Sequence, residues 1–220
     1  MTATKHEDLA LRYLLDVPSG ADDTAELPLV VMMHGRGADA FDLADVAPML
    51  DGGYRWIFPN APKPFAAYPG MNLGWTWFDG WPPEEASVSE SRQMLLAFLD
   101  AIIARYPTTP GKIIIAGFSQ GGMMSLELGL RTAAKISGIV VLSGGLYEQN
   151  LPDLTTHKEL PIFIGHGSLD DVVPLMFAQR ARRVLEGAGL DVEYHEYPMG
   201  HQLVQEEAAA LKAFLGRVLA

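Results

Sequence analysis

The sequence predicts an α/β fold: a mostly parallel, doubly wound sheet with helices on both faces. Three observations carry that expectation. Short runs rich in Val, Ile and Leu alternate along the chain with stretches of helical periodicity. Those runs lack the polar alternation of a half-solvated sheet, as strands covered on both faces require. And the 220 residues are 49% hydrophobic and 20% charged, enough apolar material for a sizeable core.

Taken in order, Leu9, Leu11, Tyr13 and Leu15 alternate with less apolar neighbours and predict a half-buried strand. Residues 29–33 predict the first fully buried strand, 41–50 a helix and 56–58 a second buried strand. Residues 59–85 read as one long irregular stretch. It holds Phe65, Tyr68, Trp75, Trp77, Phe78 and Trp81 among many prolines, and a loop that long in a compact domain is usually functional. A helix is expected over 87–105, where Met94, Leu95, Phe98, Leu99, Ile102 and Ile103 share one face. Strands follow at 112–116, 138–142, 161–165 and 191–197, interleaved with helices at 120–132, 174–186 and 202–219. No linker, repeat or low-complexity tract divides the chain, so one domain over residues 1–220 is expected.

Composition removes several function classes. With 16 Lys+Arg against 27 Asp+Glu the net charge is −11, and no basic stripe exists to displace counterions from a nucleic acid. The same balance disfavours strongly anionic substrates. There is no cysteine, which excludes disulfides, thiolate nucleophiles and Cys-ligated metal. The first eight residues contain no apolar core of a secretory signal. Apolar runs such as 29–33 fall far short of the roughly 18 residues that span a bilayer. The expectation is a soluble, cytoplasmic protein without a membrane span.

The chemistry begins at Gly117-Phe118-Ser119-Gln120-Gly121, a G-x-S-x-G string. The string alone is weak, but a buried strand precedes it and a helix follows it. So tight a strand-to-helix turn strains the central backbone and thrusts its side chain outward. Ser119 is therefore the expected nucleophile. The oxyanion formed on attack needs preorganised N–H donors. One is the amide of Gln120, and the second is expected from the Gly-rich loop His34-Gly35-Arg36-Gly37, through the Arg36 amide. His34 itself reads as scaffold, bonding its own loop.

The base should follow the nucleophile in sequence. His157 lies in a polar stretch and His195 in an alternating strand, whereas His201 comes just after a strand, where an open α/β sheet places its chemistry. The acid comes from His166-Gly167-Ser168-Leu169-Asp170-Asp171: Asp170 is expected to orient the imidazole and Asp171 to cap the helix beginning at Pro174. His166 braces this loop. The aromatic residues of 59–85, Trp77 and Phe78 above all, are the candidates for a pocket wall, with Leu169, Val172 and Met176 lining the acyl side.

Together these residues resemble the phospholipase/carboxylesterase family of α/β-hydrolases, which includes the acyl-protein thioesterases. The resemblance rests on His34-Gly35-Arg36-Gly37-Ala38-Asp39, Pro59-Asn60-Ala61-Pro62, Trp77-Phe78-Asp79, Gly117 to Gly122, His166-Gly167 with Asp170 and Val173-Pro174, and Gly200-His201. It implies a compact hydrolase without a cap domain, a shallow apolar acyl pocket, no metal or organic cofactor, and a homodimer. It supports Ser119, Asp170 and His201 as a triad with Arg36 and Gln120 at the oxyanion hole. Arg36-Gly37 stands where the thioesterases tend to carry Leu-Gly, which favours a simple ester over a lipidated protein as substrate. The expected activity is hydrolysis of small to medium acyl esters, a small-molecule substrate, through an acyl-enzyme. The alternatives are a thioesterase or lysophospholipase of the same fold and, in another class, a non-catalytic ligand-binding protein, which would lack or bypass a triad member.

Overall fold

The computed structural model describes residues 3–50, 52–68, 70–157 and 159–220. Among these described residues ten strands appear in chain order: β1 (Thr4–His6), β2 (Tyr13–Asp16), β3 (Leu27–Met33), β4 (Arg55–Pro59), β5 (Lys63–Tyr68), β6 (Met71–Thr76), β7 (Thr108–Phe118), β8 (Gly138–Leu142), β9 (Ile162–Gly167) and β10 (Val192–Tyr197). Five α-helices accompany them: α1 (Val46–Leu50), α2 (Glu85–Arg105), α3 (Gln120–Gly129), α4 (Met176–Gly187) and α5 (Gln205–Leu219).

Eight strands form one sheet in the order β1-β2-β4-β3-β7-β8-β9-β10. Pairing is parallel from β4 through β10 and antiparallel only at the β1 and β2 edge. The doubly wound expectation therefore holds. One apolar face of the sheet carries Leu95, Phe98 and Ile102 of α2, Met124 and Leu126 of α3, and Ala178 and Leu185 of α4. The other carries Ala47 and Leu50 of α1 with Leu211, Phe214 and Leu215 of α5. Val30, Val31, Ile114, Ile115, Val140 and Val141 are fully buried between these layers, which is why their segments read as unbroken apolar runs.

Three expectations need correction. The segment 59–85 is not structureless: β5 and β6 form a separate antiparallel hairpin within it. The first edge is also larger than expected, because polar Thr4–His6 pairs with β2 and all four residues of β2 are buried. Helix α1 is much shorter than 41–50. Pro48 has no N–H to offer Ala44, and residues 39–46 close i to i−3 turns instead, such as Ala44 N–H to Phe41 O and Val46 N–H to Leu43 O.

Candidate active site

Strand β7 ends at Phe118 and α3 begins at Gln120, leaving Ser119 alone at the turn with φ 56° and ψ −118°. A non-glycine residue there is strained by about 1–3 kcal/mol and persists only where its surroundings fix it. Here the Ser119 N–H donates to Leu142 O (2.9 Å), and its carbonyl accepts from Met123 N–H (3.1 Å). Two glycines make the turn sterically feasible. A Cβ on Gly117 would overlap the Gly121 carbonyl, and one on Gly121 would overlap the Met33 carbonyl at the end of β3.

The loop after β3 lies directly on this turn: a Cβ on Gly35 would stand 3.3 Å from Ser119 Cβ. His34 holds the loop in shape. Its Nε2 accepts from Ala61 N–H (3.0 Å), so Nδ1 carries the proton and donates to Gly35 O (2.7 Å). Burial pushes His34 down to about 4, which keeps the ring neutral in that role. The backbone N–H groups of Arg36 and Gln120 have no acceptor among the described residues.

Across the cavity, Asp170 follows β9 and His201 follows β10. His201 Nδ1 donates to Asp170 Oδ2 at 2.7 Å. The other oxygen of Asp170 accepts from the N–H groups of Val172 (2.9 Å) and Val173 (2.8 Å). Burial alone would raise this carboxyl, but His201 and those two amides outweigh it and hold Asp170 below the ordinary carboxylate value. Beneath it, His166 Nε2 donates to Val173 O (2.7 Å) and lies 3.5 Å from Asp170 Oδ2. Burial keeps this second imidazole neutral. Phe118 packs on the His201 ring at 4.8 Å between centroids. Asp171, by contrast, caps nothing: α4 starts at Met176 without a side-chain cap, and Asp171 is exposed.

Ser119, His201, Arg36 and Gln120 all face one cavity of about 430 Å³. Ser119 Oγ and His201 are brought to the same cavity without a direct hydrogen bond between them. Such contacts commonly tighten only once substrate is bound. The pocket wall draws on the aromatics of 59–85 as expected, through Phe65 and Trp81, but not on the two expected first. Trp77 and Phe78 are 0% and 2% exposed and lie in the core behind it, because the Trp77 indole N–H donates to His34 O (2.8 Å). Gln120 explains how they are held: its Oε1 accepts from Thr76 Oγ1 and Trp77 N–H (both 3.0 Å), and its Nε2 donates to Phe78 O (2.9 Å). The role expected of Gln120 from sequence involves only its backbone, and the side-chain brace has no periodic signal to reveal it.

The apolar side chains that do line the cavity are those of Phe65, Trp81, Met123, Val172 and Val173. Of the expected acyl-side residues only Val172 is among them, while Leu169 and Met176 stand exposed and outside it. Among the described residues no cluster of His, Asp and Glu is arranged to hold a metal ion, and no helix is long and apolar enough to cross a membrane.

Comparison with known proteins gives the chain a family and a fold. The family model described as phospholipase/carboxylesterase matches residues 18–219. Acyl-protein thioesterase 1 of Gibberella zeae is 36% identical, covering 92% of this chain and 94% of its own length. Acyl-protein thioesterase 1 of Mycosarcoma maydis is 32% identical, covering 91% and 94%. A carboxylesterase structure from Mesorhizobium loti superimposes with a TM-score of 0.83 at 19% identity, covering 97% of this chain and 98% of its own. The chain is a hydrolase of the α/β-hydrolase fold, an esterase or thioesterase, and it belongs to the phospholipase/carboxylesterase family.

Proposed function

We propose that this protein is a serine carboxylesterase acting on small to medium acyl esters, with Ser119, His201 and Asp170 as its triad. The observation that carries the reading is the 2.7 Å His201–Asp170 pair opening onto the same cavity as Ser119 on its strained turn. Because Nδ1–H is committed to Asp170, the Nε2 lone pair of His201 is the one free to accept a proton.

In the first step Ser119 Oγ bonds to the ester carbonyl carbon and its proton passes to His201 Nε2. The carbonyl oxygen becomes an oxyanion, met by the amides of Arg36 and Gln120, and Asp170 stabilises the imidazolium. Collapse of the tetrahedral species breaks the ester C–O bond, and His201 returns the proton to the departing alcohol. Water then attacks the acyl-enzyme by the same route, releasing the carboxylic acid and restoring the Ser119 hydroxyl. A cavity of about 430 Å³ lined by Trp81, Met123, Val172 and Val173 suits an acyl group of modest size.

A thioesterase reading has its own support, since the relatives at 36% and 32% identity are acyl-protein thioesterases. Matched butyryl ester and butyryl thioester substrates separate the two. The carboxylesterase reading expects the higher kcat/KM on the ester, and a reversed preference would install the thioesterase reading. Loss of both activities in Ser119→Ala is expected under either.

A further inference from the structure

The cavity contains one fixed charge, and it is positive. Among the described residues lining it, Arg36 alone carries a permanent charge, in a chain whose net charge is −11. The overall acidity argues against strongly anionic substrates, but the one permanently charged side chain lining the cavity is a cation.

That cation is held in place and left unpaired. The Arg36 guanidinium carbon lies 4.4 Å over the Phe65 ring. Stacking on an aromatic face leaves the in-plane N–H donors free to form a fork. Among the described residues Arg36 has no hydrogen bond and no ion pair. Asp39, the acid of its own loop, is turned to a local N–H, accepting from Phe41 at 2.9 Å.

The platform under Arg36 is firmly built. A Cβ on Gly37 would touch the Phe65 ring at 3.4 Å, so the ring lies close over the loop. Gly37 N–H donates to Trp75 O (2.8 Å), Trp75 N–H donates to Ala38 O (2.9 Å), and Ala38 bridges Trp75. The hairpin β5–β6 is thus stitched to the loop that places Arg36 beside Ser119. A guanidinium with five donors and no acceptor at home is suited to a carboxylate, which it binds in bidentate fashion.

We propose that Arg36 is a specificity-determining residue that takes the carboxylate of a monoanionic ester, such as the half-ester of a dicarboxylic acid. This rests on the Ser119 reading above, which puts the scissile carbonyl beside Arg36. The Arg36 side chain contributes to substrate selection and its amide to the oxyanion hole.

Monomethyl glutarate and dimethyl glutarate are a matched pair differing by one negative charge. The kcat/KM ratio of the anionic to the neutral ester is expected to fall about tenfold or more in Arg36→Gln, mainly through KM, and to stay intermediate in Arg36→Lys. Raising the salt concentration should lower the ratio in wild type and leave it flat in Arg36→Gln. An equal ratio in wild type and Arg36→Gln would overturn the proposal while leaving the esterase reading intact. Failure of wild type to hydrolyse the glutarate esters and the butyryl ester alike would instead remove the esterase reading. Calorimetry then decides Arg36 by itself: in the Ser119→Ala background, monomethyl glutarate should bind at least tenfold more weakly once Arg36→Gln is added. An unchanged Kd overturns the proposal.

Discussion

Two carboxyl side chains lie fully buried at strand β9, and they are held in opposite states. Asp170 follows the strand, and its side chain receives one imidazole N–H and two backbone N–H groups, which keep it below the ordinary carboxylate value. Glu207, on α5, presses against Gly165 within the same strand, so closely that a Cβ on that glycine would overlap its oxygen. Among the described residues neither oxygen of Glu207 has a hydrogen-bond partner, and burial lifts the carboxyl to about 8. The nearby Tyr197 hydroxyl is also without a partner among the described residues and is itself raised to about 12 by burial and by Glu207. Burial alone therefore does not decide whether an acid is charged. The donors around it do: three N–H groups reach Asp170, whereas among the described residues none reaches Glu207.

The largest effect that can break the comparison is on catalysis. Asp170→Asn keeps the shape but no longer offers the carboxylate that fixes the His201 tautomer. Ester turnover is expected to fall on the order of 10⁴-fold in kcat, measured under substrate saturation. A loss of tenfold or less would mean that the donor-rich corner is structural rather than catalytic.

The second effect is on stability, and the two acids give it opposite signs. Asp170, with its lowered pKa, supports the fold at neutral pH and loses that support as pH falls through its lowered value. Glu207 is the reverse. Its native pKa of about 8 stands above the ordinary 4.5, so the native state binds more protons than the unfolded chain across that interval. Stability is consequently eroded as pH rises from about 4.5 to about 8. Glu207→Gln removes that erosion, which costs the wild-type protein about 1.4 kcal/mol for each pH unit crossed within the interval. The melting temperature of Glu207→Gln should match wild type within a few degrees near about pH 5 and exceed it clearly near about pH 9. Parallel melting-temperature profiles for the two proteins would show that Glu207 is charged in the native state after all.

This asymmetry also marks what the sequence can disclose. Strands β3, β4, β7, β8 and β9 are legible because both faces are covered, which leaves unbroken apolar runs such as Ile113, Ile114 and Ile115. The turn at Ser119 is legible because two glycines are required where backbones meet. Glu207 is not, since a polar residue on a helix gives no sign of which neighbours it faces. The hairpin β5–β6 is hidden for a different reason: Pro64 and Gly74 interrupt any two-residue alternation, and the pairing itself shifts register. Sequence points to the aromatics of 59–85 as pocket wall but puts Trp77 and Phe78 ahead of Phe65 and Trp81, because aromatic content marks a cluster without saying which side of it faces solvent. The bonds that settle the matter, Trp77 to His34 and Gln120 to Thr76, Trp77 and Phe78, span 40 residues or more.

The most direct test of the central claim is covalent labelling with a fluorophosphonate, read by mass spectrometry of the digested protein. An activated serine forms a phosphonyl ester that an ordinary surface hydroxyl does not. The expected result is stoichiometric modification at Ser119 in the folded wild-type protein and none in Ser119→Ala. A folded wild-type protein that stays unlabelled, or that is labelled at another serine, would contradict the assignment of Ser119 as the nucleophile.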